Sequence, residues 1–255
     1  LTPKDIDFVA VGTTPETFLE LGFRQVGQDF PVFLHPENQA EIALARTERK
    51  TKKGHKGFVV HADPSVALET DLLRRDFTIN AMALSRTGDL VDPYGGKDDL
   101  KSRQLRHVSG AFNEDPLRVL RGVRFLAQLG RFEFHIAQDT VLLMQAMSQS
   151  LRELSVERII VELDKILASN HPELGLRCLN HLGITDALAP ALNVVPDQFI
   201  GQTNDVRLAE WLLLNRPTIE CIEHYGKEFR LTNKRVLFLK AATRLKRSEE
   251  HTSEL

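Results

Sequence analysis

The chain has 255 residues, of which 42% are hydrophobic and 27% charged, a balance typical of soluble globular proteins with one large domain or two to three small ones. Its formal net charge of −2 excludes a uniformly basic nucleic-acid binder but leaves room for local basic patches. No apolar run approaches a membrane span and no leader is visible, so we expect no transmembrane helix, no signal peptide and a cytoplasmic location. Cys178 and Cys221 lack metal-site spacing and indicate a reducing compartment without a disulfide framework.

The segment KDIDFVAVG, Lys4 to Gly12, places two aspartates where a strand is predicted to begin. The run Phe8 to Val11 is short, rich in β-branched residues and closed by glycine, as strands often are. Alternate residues of a strand share a face, so Asp5 and Asp7 would lie about 6–7 Å apart along it. Two such carboxylates repel each other unless a cation lies between them, and Mg²⁺ prefers carboxylate oxygens. A metal site and two solvated aspartates both remain open from these residues alone.

Short strand-like runs alternate with turns over residues 1 to about 100. Thr13 and Glu16 form a capping-box pattern, which predicts a short helix that ends at Gly22. Glu41 begins one strand-like run and could supply a third carboxylate, although its spacing alone favours a solvated strand end. The predicted strands are Pro31 to His35, Glu41 to Ala45 and Gly57 to His61, followed by Gly88 to Gly96, a strand that leads into a turn.

A basic segment, Arg46 to Lys56, follows the predicted strand that begins at Glu41. It carries six lysines and arginines against a single acidic residue, Glu48. Such a run is either a solvated loop or a contact for a phosphate backbone or a triphosphate. The sequence alone does not choose between these two interpretations.

Adjacent arginines, Arg74 and Arg75, precede Asp76 at the start of an apolar segment. A guanidinium group donates in a fork to paired oxygens, which suits contacts with phosphates and sugars. Taken alone, the three residues are better explained as the charged beginning of an apolar segment.

The sequence pattern changes from strand-like to helical near residue 114. Asp115 at the N-cap, Pro116 at the first helical position and Gly130 at the end predict a helix. Apolar residues at helical spacing predict further helices within Glu157 to Ser169, Arg207 to Leu214 and Asn233 to Leu245. The chain is therefore predicted to be an α+β protein, with a mixed α/β head followed by an all-helical remainder.

Arg118, Arg121 and Arg124 recur at every third residue of the helix predicted after Asp115, beside an apolar seam with the same spacing. No carboxylate lies four residues after the first two arginines, which favours a functional role over a solvated face. Asp115 only accepts hydrogen bonds when ionised and Arg118 only donates them. Held one helical turn apart, the two could read the edge of a nucleobase, and helix capping by Asp115 is compatible with that role.

Paired strand carboxylates together with arginine-rich surfaces indicate metal-assisted phosphoryl or nucleotidyl transfer, which needs no histidine or cysteine nucleophile. Six stretches occur in order along the chain: KDIDFVAVG, QVGQDFPVFLHP, ALARTERKT, LRRDFTINAMA, LVDPYGG and FNEDPLRVLRGVRF. Together they resemble the class II bacterial tRNA nucleotidyltransferases, the CCA-adding enzymes, most strongly over about residues 1 to 135. The resemblance implies a polymerase-β-like nucleotidyltransferase head with a small mixed sheet at 1–110, a helical neck at 111–170, a helical RNA-binding body at 171–246 and a disordered tail at 247–255.

The resemblance also implies the addition of C, C and A to the tRNA 3′ end from CTP and ATP, without a nucleic-acid template. Asp5 and Asp7 match the catalytic pair that binds metal, with Mg²⁺ as the cofactor. Arg46 and Glu48 lie where the family has a mobile loop needed for the switch from C to A. The implied nucleotide contacts are Arg75 and Asp76 to the sugar and phosphates, Asp115 and Arg118 to the Watson–Crick edge, and Arg121 and Arg124 elsewhere on the nucleotide.

Two departures from the family bear on these expectations. The Gly-Gly-x-x-Arg-Asp segment that precedes the catalytic aspartates is absent, so we expect an N-terminally truncated fragment. The His-Asp phosphohydrolase domain of some relatives is absent too, so no phosphatase activity is expected. Four alternatives remain: a poly(A) polymerase, an A-adding specialist, a CC-adding specialist, which the full-length loop between Asp7 and Arg74 disfavours, and a non-catalytic RNA-binding fragment. The sequence leaves the oligomeric state open.

Overall fold

A computed structural model describes residues 6–26, 32–50, 58–61, 63–189 and 192–253. The chain divides into two compact units, the first formed by residues 1–98 and 107–114 and the second by residues 99–106 and 115–255. The sequence did not indicate that residues 99–106 would join the second unit. The predicted boundary between neck and body stays a prediction, and Asp5 lies outside the described residues.

A four-stranded mixed sheet organises the first part of the first unit. Its strands are β1 (Phe8–Ala10), β2 (Arg24–Val26), β3 (Val32–Leu34) and β4 (Glu41–Leu44). Their order in the sheet is β1-β4-β3-β2, with β1 parallel to β4 and the other two pairs antiparallel. Phe18, Phe33 and Leu44 form the buried cluster packed on this sheet.

A short helix, α1 (Pro15–Glu20), lies between β1 and β2 in the sequence. Its N-cap is Thr14, whose hydroxyl accepts from the Thr17 N–H at 3.3 Å. The predicted capping box between Thr13 and Glu16 is therefore wrong by one residue, because Pro15 occupies the first helical position and sets the cap immediately before it. The predicted end of the helix agrees with the structure, since Gly22 adopts a φ of 81° just beyond it.

The basic segment begins as part of a hairpin rather than as a loop. β5 (Thr47–Lys50) pairs antiparallel with β6 (Phe58–His61). Residues 51–57 lie outside the described residues. The prediction of a loop over the whole segment is therefore corrected for Thr47–Lys50, where the apolar, β-branched partner strand supplies the pairing.

The rest of the first unit packs around two buried phenylalanines. Phe77 and Phe112 meet edge to face with their ring centroids 5.5 Å apart. Phe77 also forms an isolated bridge to His107. The elements in this region are α2 (Leu68–Leu73) and the antiparallel pair β7 (Ala83–Leu84) and β8 (Leu90–Val91). The next helix, α3 (Gly96–Lys101), begins in the first unit and ends in the second.

The second unit is helical apart from one short parallel pair, β9 (Gln104–Leu105) and β10 (His135–Ile136). Its helices are α4 (Leu117–Leu129), α5 (Gln138–Ala146), α6 (Val156–Leu167), α7 (Pro172–His181), α8 (Ile184–Leu188), α9 (Asn204–Leu214), α10 (Ile219–Glu228) and α11 (Asn233–Ser253). This mixed sheet followed by helices confirms the predicted α+β class. Within the described ranges, none of the helices has both the length and the apolar character that crossing a membrane would require.

Helices α4, α6 and α7 approach one another closely at Gly175. A Cβ atom added there would lie 2.7 Å from Ile166 Cγ2 and 3.1 Å from Ala127 Cβ. Only a residue without a side chain allows this packing, so the three helices are held at a fixed separation.

The last helix is longer than the sequence indicated. α11 continues to Ser253, so the predicted disordered tail over 247–255 is wrong for residues 247–253. Adding residues to an existing helix costs far less than starting one, which explains why a polar segment with no apolar face continues the helix.

Candidate functional site

Asp7 and Glu41, two of the predicted catalytic carboxylates, lie at the starts of neighbouring strands of the first unit. Asp7 immediately precedes β1, and Glu41 is the first residue of β4. Since Phe8 pairs with Ile42 in parallel register, Asp7 is level with Glu41, on strands that lie about 4.8 Å apart. Both residues are exposed. The structure thus brings Glu41 beside Asp7, although spacing alone favoured a solvated strand end.

This carboxylate pair suits a divalent cation. Both residues offer only oxygen donors, which hard cations such as Mg²⁺ prefer. Within the described residues no group of three His, Cys, Asp or Glu side chains forms a metal site. Asp5, two residues before Asp7 in the sequence, is not among those residues, so its part in the site stays a prediction.

A buried carboxylate, Asp71 in α2, binds both arginines of the predicted nucleotide-contacting motif. Its side chain is 2% exposed, and its Oδ1 accepts from Arg74 Nη2 at 2.7 Å and from Arg74 Nε at 3.2 Å. Its Oδ2 lies 3.5 Å from Arg75 Nη2. Sequence analysis missed Asp71. The available signal was an acidic residue three and four positions before two arginines, the spacing of neighbours on a helix.

Arg75 is less firmly held than Arg74. Its Nη2 contact with Asp71 Oδ2 is at the limit of hydrogen-bond distance, and its side chain is 37% exposed against 20% for Arg74. Its buried Nε has no hydrogen-bond partner among the described residues. Of the two arginines, Arg75 therefore retains more donor capacity for an incoming anion.

Asp76 points into the fold. It is 6% exposed, and its Oδ1 accepts from the Phe77 N–H at 2.9 Å and from Asn80 Nδ2 at 3.2 Å. Its carbonyl oxygen accepts from the Val108 N–H at 3.2 Å. These bonds shape the turn that follows Arg75, and the predicted contact of Asp76 with the nucleotide stays a prediction.

In the second unit, Asp115 contacts the first turn of α4 and also pairs with α6. The predicted N-cap is wrong by one residue, because Pro116 occupies the N-cap position and Leu117 is the first helical residue. Asp115 still binds the start of the helix, since its Oδ1 accepts from the Leu117 N–H at 3.1 Å. Its Oδ2 accepts from Arg158 Nη2 at 2.8 Å. Each carboxylate oxygen has a second lone pair, so capping and ion pairing leave Asp115 able to accept from a base. Sequence analysis did not identify Arg158.

The three arginines of α4 differ in their surroundings. Arg124 is 12% exposed, and its Nε lies 2.7 Å from Glu162 Oε2, a buried carboxylate of α6 that sequence analysis missed. Arg121 and Arg124 flank the Phe125 ring, at 5.7 and 4.4 Å from its centroid. Arg118 lies one turn after Asp115. Arg124 is thus bound to α6 in this structure, and the nucleotide contacts predicted for Arg118, Arg121 and Arg124 stay predictions.

Neither cysteine belongs to these clusters. Cys178 and Cys221 are free thiols. Burial raises the pKa of the Cys178 thiol to about 12, so this group stays protonated at neutral pH. A thiolate nucleophile at Cys178 is therefore excluded under those conditions.

Comparison with known protein families gives independent information on the class of protein to which this chain is similar. Residues 2–106 match the family described as "Poly A polymerase head domain". Residues 133–195 match the family described as "Probable RNA and SrmB- binding site of polymerase A". The head-domain match therefore covers residues 2–98 of the first unit and residues 99–106 of the second.

Comparison with an individual relative narrows the assignment from a head domain to a group of enzymes. The CCA-adding enzyme of Blochmanniella pennsylvanica (strain BPEN) is 49% identical over 197 residues, which cover 77% of this chain and 48% of that protein. The chain thus spans about half the length of this curated relative. It is a homologue of the CCA-adding enzymes and belongs with them in the family that carries this head domain.

Solved structures agree with this placement. The Bacillus stearothermophilus CCA-adding enzyme in complex with CTP has a TM-score of 0.62 and 27% identity, covering 93% of this chain and 56% of that one. A CCA-adding enzyme in complex with ATP has a TM-score of 0.69 and 23% identity, covering 94% and 60% of the two chains. At that lower identity the second likeness shows the fold alone.

Proposed function

We propose that this chain supplies the head and the first helical domains of an enzyme that adds C, C and A to the 3′ end of tRNA. The nucleotides come from CTP and ATP, no nucleic-acid template is used, and pyrophosphate is released. The observation that carries the proposal is the 49% identity to a CCA-adding enzyme over 197 residues. The relative solved with CTP, at 27% identity, supports the choice of substrate.

The strand carboxylates of the first unit are proposed to form the catalytic centre. Asp5 and Asp7, with Glu41 beside Asp7, would hold a divalent cation, Mg²⁺ in this proposal. When bound, that cation lowers the pKa of the tRNA 3′-hydroxyl and neutralises charge on the triphosphate. The 3′-oxygen forms a bond to the α-phosphorus, the bond from that phosphorus to the bridging oxygen breaks, pyrophosphate leaves and the hydroxyl proton passes to solvent.

Arginines are proposed to hold the parts that CTP and ATP share. Arg75 retains donor capacity and would contact the triphosphate and sugar, while Asp76 shapes the turn beside it. Arg118, Arg121 and Arg124 would act from α4, with Arg124 contributing mainly by joining α4 to α6. The antiparallel pair of β5 and β6 is called the basic hairpin below. Arg46, which precedes β5, and Glu48, which lies in it, are proposed to take part in the change from adding C to adding A.

Asp115 is proposed to select the base. Cytosine and adenine both carry an exocyclic amine at the Watson–Crick edge, which can donate to a carboxylate, and Arg118 can donate to a ring nitrogen. Uracil and guanine offer a carbonyl oxygen there and would face another acceptor. The pairing of Asp115 with Arg158 at 2.8 Å would fix the carboxylate for this selection.

The tRNA is proposed to approach through its 3′ end and acceptor stem. The matched description of residues 133–195 as a probable RNA-binding site supports an RNA partner for the second unit. A cytoplasmic location belongs to the same proposal.

A poly(A) polymerase or an A-adding specialist is the second candidate, because the matched head family is described by that polymerase. Either enzyme would share the metal chemistry and use ATP alone. Both differ from a CCA-adding enzyme because they do not use CTP, and a poly(A) polymerase differs further because it adds A without stopping.

Incorporation on a tRNA that lacks its CCA end separates these functions. We would supply labelled CTP and ATP, alone and together, to this chain and to a chain extended to the length of the matched relative. CCA addition predicts two C residues with CTP alone and one terminal A when both are present. Unlimited A from ATP alone would identify a poly(A) polymerase. A tRNA that already ends in CC tests the A-adding specialist, which would add a single A only there. RNA binding with no incorporation by either chain on either tRNA would leave a non-catalytic RNA-binding protein.

A further inference from the structure

One buried carboxylate in the first unit joins two chain segments, α2 with the arginines that follow it and the residue that precedes β5. Asp71 is 1% exposed, and its Oδ1 accepts from Arg74 and from the backbone N–H of Arg46, the latter at 3.3 Å. Its Oδ2 faces Arg75 Nη2. The Arg46 N–H lies at the start of β5, so the same side chain reaches the base of the basic hairpin and both arginines that follow α2.

We propose that Asp71 is a positioning residue that sets the guanidinium of Arg75 for the nucleotide triphosphate and ties it to the base of the basic hairpin. The inference rests on the proposed function, because it concerns how that site binds its nucleotides. Asp71 itself does not touch the nucleotide in this proposal, because it acts through Arg75.

The unequal contacts of the two arginines support this division of roles. Arg74 places two nitrogens on Oδ1 and fixes the orientation of the carboxylate. The other oxygen is then left to face Arg75, at 3.5 Å. A buried carboxylate fixed in this way attracts the nearer guanidinium nitrogen and leaves the remaining N–H groups of Arg75 for another acceptor. A guanidinium oriented before the ligand arrives loses less entropy on binding, so affinity depends on the residue that orients it.

The hydrogen bond from the Arg46 backbone N–H to Asp71 extends the positioning effect of Asp71 to the basic hairpin. An N–H donated to a buried carboxylate restrains Arg46, from which β5 begins. If the hairpin acts in the change from C to A, losing this restraint should impair addition of A more than addition of C. A side chain that only stabilised the fold would lower both additions alike.

A double-mutant cycle tests whether Asp71 acts through Arg75. Equilibrium binding of CTP and ATP, together with kcat and KM for each, would be measured for Asp71→Asn, Arg75→Ala and the double variant. We expect Asp71→Asn to weaken binding and raise KM by about tenfold, with a smaller change in kcat, as for lost ground-state contacts. In the Arg75→Ala background the same change should have almost no further effect, because the residue through which it acts is gone.

Asp92→Asn provides a matched control. Asp92 is also a carboxylate of the first unit that accepts backbone N–H groups, from Gly96 at 2.7 Å and Lys97 at 2.8 Å. It should leave nucleotide binding unchanged. If Asp71→Asn fails to fold, Arg74→Lys is measured in its place. Lysine keeps the positive charge but loses one of the two contacts that orient Asp71. The KM of this variant should rise by a smaller factor than that expected for Asp71→Asn.

The outcomes separate the two proposals. A wild-type protein that binds and adds nucleotides, with folded Asp71→Asn and Arg74→Lys variants that bind as tightly, overturns the positioning role and leaves the proposed function intact. Additive losses in the cycle overturn it too. A wild-type, full-length protein that binds neither nucleotide overturns the proposed function and this inference with it.

Discussion

Acidic side chains are used in opposite ways in the sheet of the first unit and among the helices of the second. Asp7 and Glu41 lie at the starts of neighbouring strands of that sheet and are exposed. In the second unit, Asp115 and Glu162 each receive an arginine from another part of the same unit, as the buried Asp71 does outside the sheet of the first unit. The difference indicates that the sheet leaves carboxylates in solvent, as the proposed metal site requires, while the helices of the second unit are joined by them.

Secondary structure explains much of this contrast. Strands of three or four residues satisfy their backbone within the sheet and leave the residues at their ends in solvent. Helices packed at the separation set by Gly175 bury part of their polar faces, and a buried charge must then be paired. The pair between Asp164 of α6 and Arg235 of α11, with contacts of 2.6 and 3.1 Å, extends the same pattern.

The largest expected effect tests the chemical role of the first unit. Asp7→Asn removes one charge from the proposed metal site, and we expect incorporation of both CTP and ATP to fall by roughly 10³-fold, since metal stabilisation is worth several kcal/mol. Binding of tRNA should survive, as a filter-binding assay would show. Turnover close to wild type would mean that the metal assignment is wrong.

Breaking the buried ion pair tests the joining role in the second unit. Arg124→Ala leaves Glu162 buried without its arginine and should destabilise the protein by about 3 kcal/mol in urea unfolding, the low end for such pairs because Lys165 lies 3.0 Å away. Arg177→Ala is the matched control, since its partner Asp197 is fully exposed and such pairs contribute about 0–1 kcal/mol. Equal losses for the two variants would contradict the role of buried ion pairs in joining the helices of the second unit.

Deleting Lys50 to Lys56 asks whether the basic segment of the first unit serves selection or general attraction. We expect products that end in CC, because A addition would be lost while C addition continues. Product lengths on a sequencing gel give the result. Equal loss of both nucleotides, with weaker tRNA binding and a smaller salt dependence, would make the segment a general electrostatic contact.

A conservative change at Asp115 tests whether this carboxylate of the second unit also selects the base. Asparagine also caps helices, so Asp115→Asn should keep most of the thermal stability while it brings a donor to the base edge. A mismatched polar group costs about 1–3 kcal/mol, so exclusion of UTP and GTP should relax by about tenfold or more. Incorporation of all four nucleotides and the melting temperature would be measured together. Wild-type selectivity would show that Asp115 is a cap and an ion-pair partner but not a reader.

Features that depend on neighbouring residues were predictable from the sequence. The N-terminal Asp-Pro pair of α4 and the β-branched run of β1 carry local signals, and both elements form where expected. Pairings between distant residues carry no such signal. Arg158 meets Asp115 across 43 positions and Asp71 meets the Arg46 N–H across 25, so only the folded chain reveals them. The length of α11 was missed for another reason, because helix propagation follows cooperativity and not apolar periodicity.

The order of strands in the sheet of the first unit has a consequence for folding. β2, β3 and β4 are consecutive and antiparallel, so they can pair through short connections, whereas β1 must join β4 in parallel across the intervening chain. Closing that longer loop is slower, so β1 is expected to dock last and amide protection at Phe8–Ala10 should lag behind that at Val32–Leu34 in pulse-labelled hydrogen exchange. Asp7 then reaches Glu41 only in the final step. A partly folded head would hold the antiparallel strands β2, β3 and β4 but would not bring Asp7 level with Glu41, so the proposed metal site would form only once assembly of the sheet is complete.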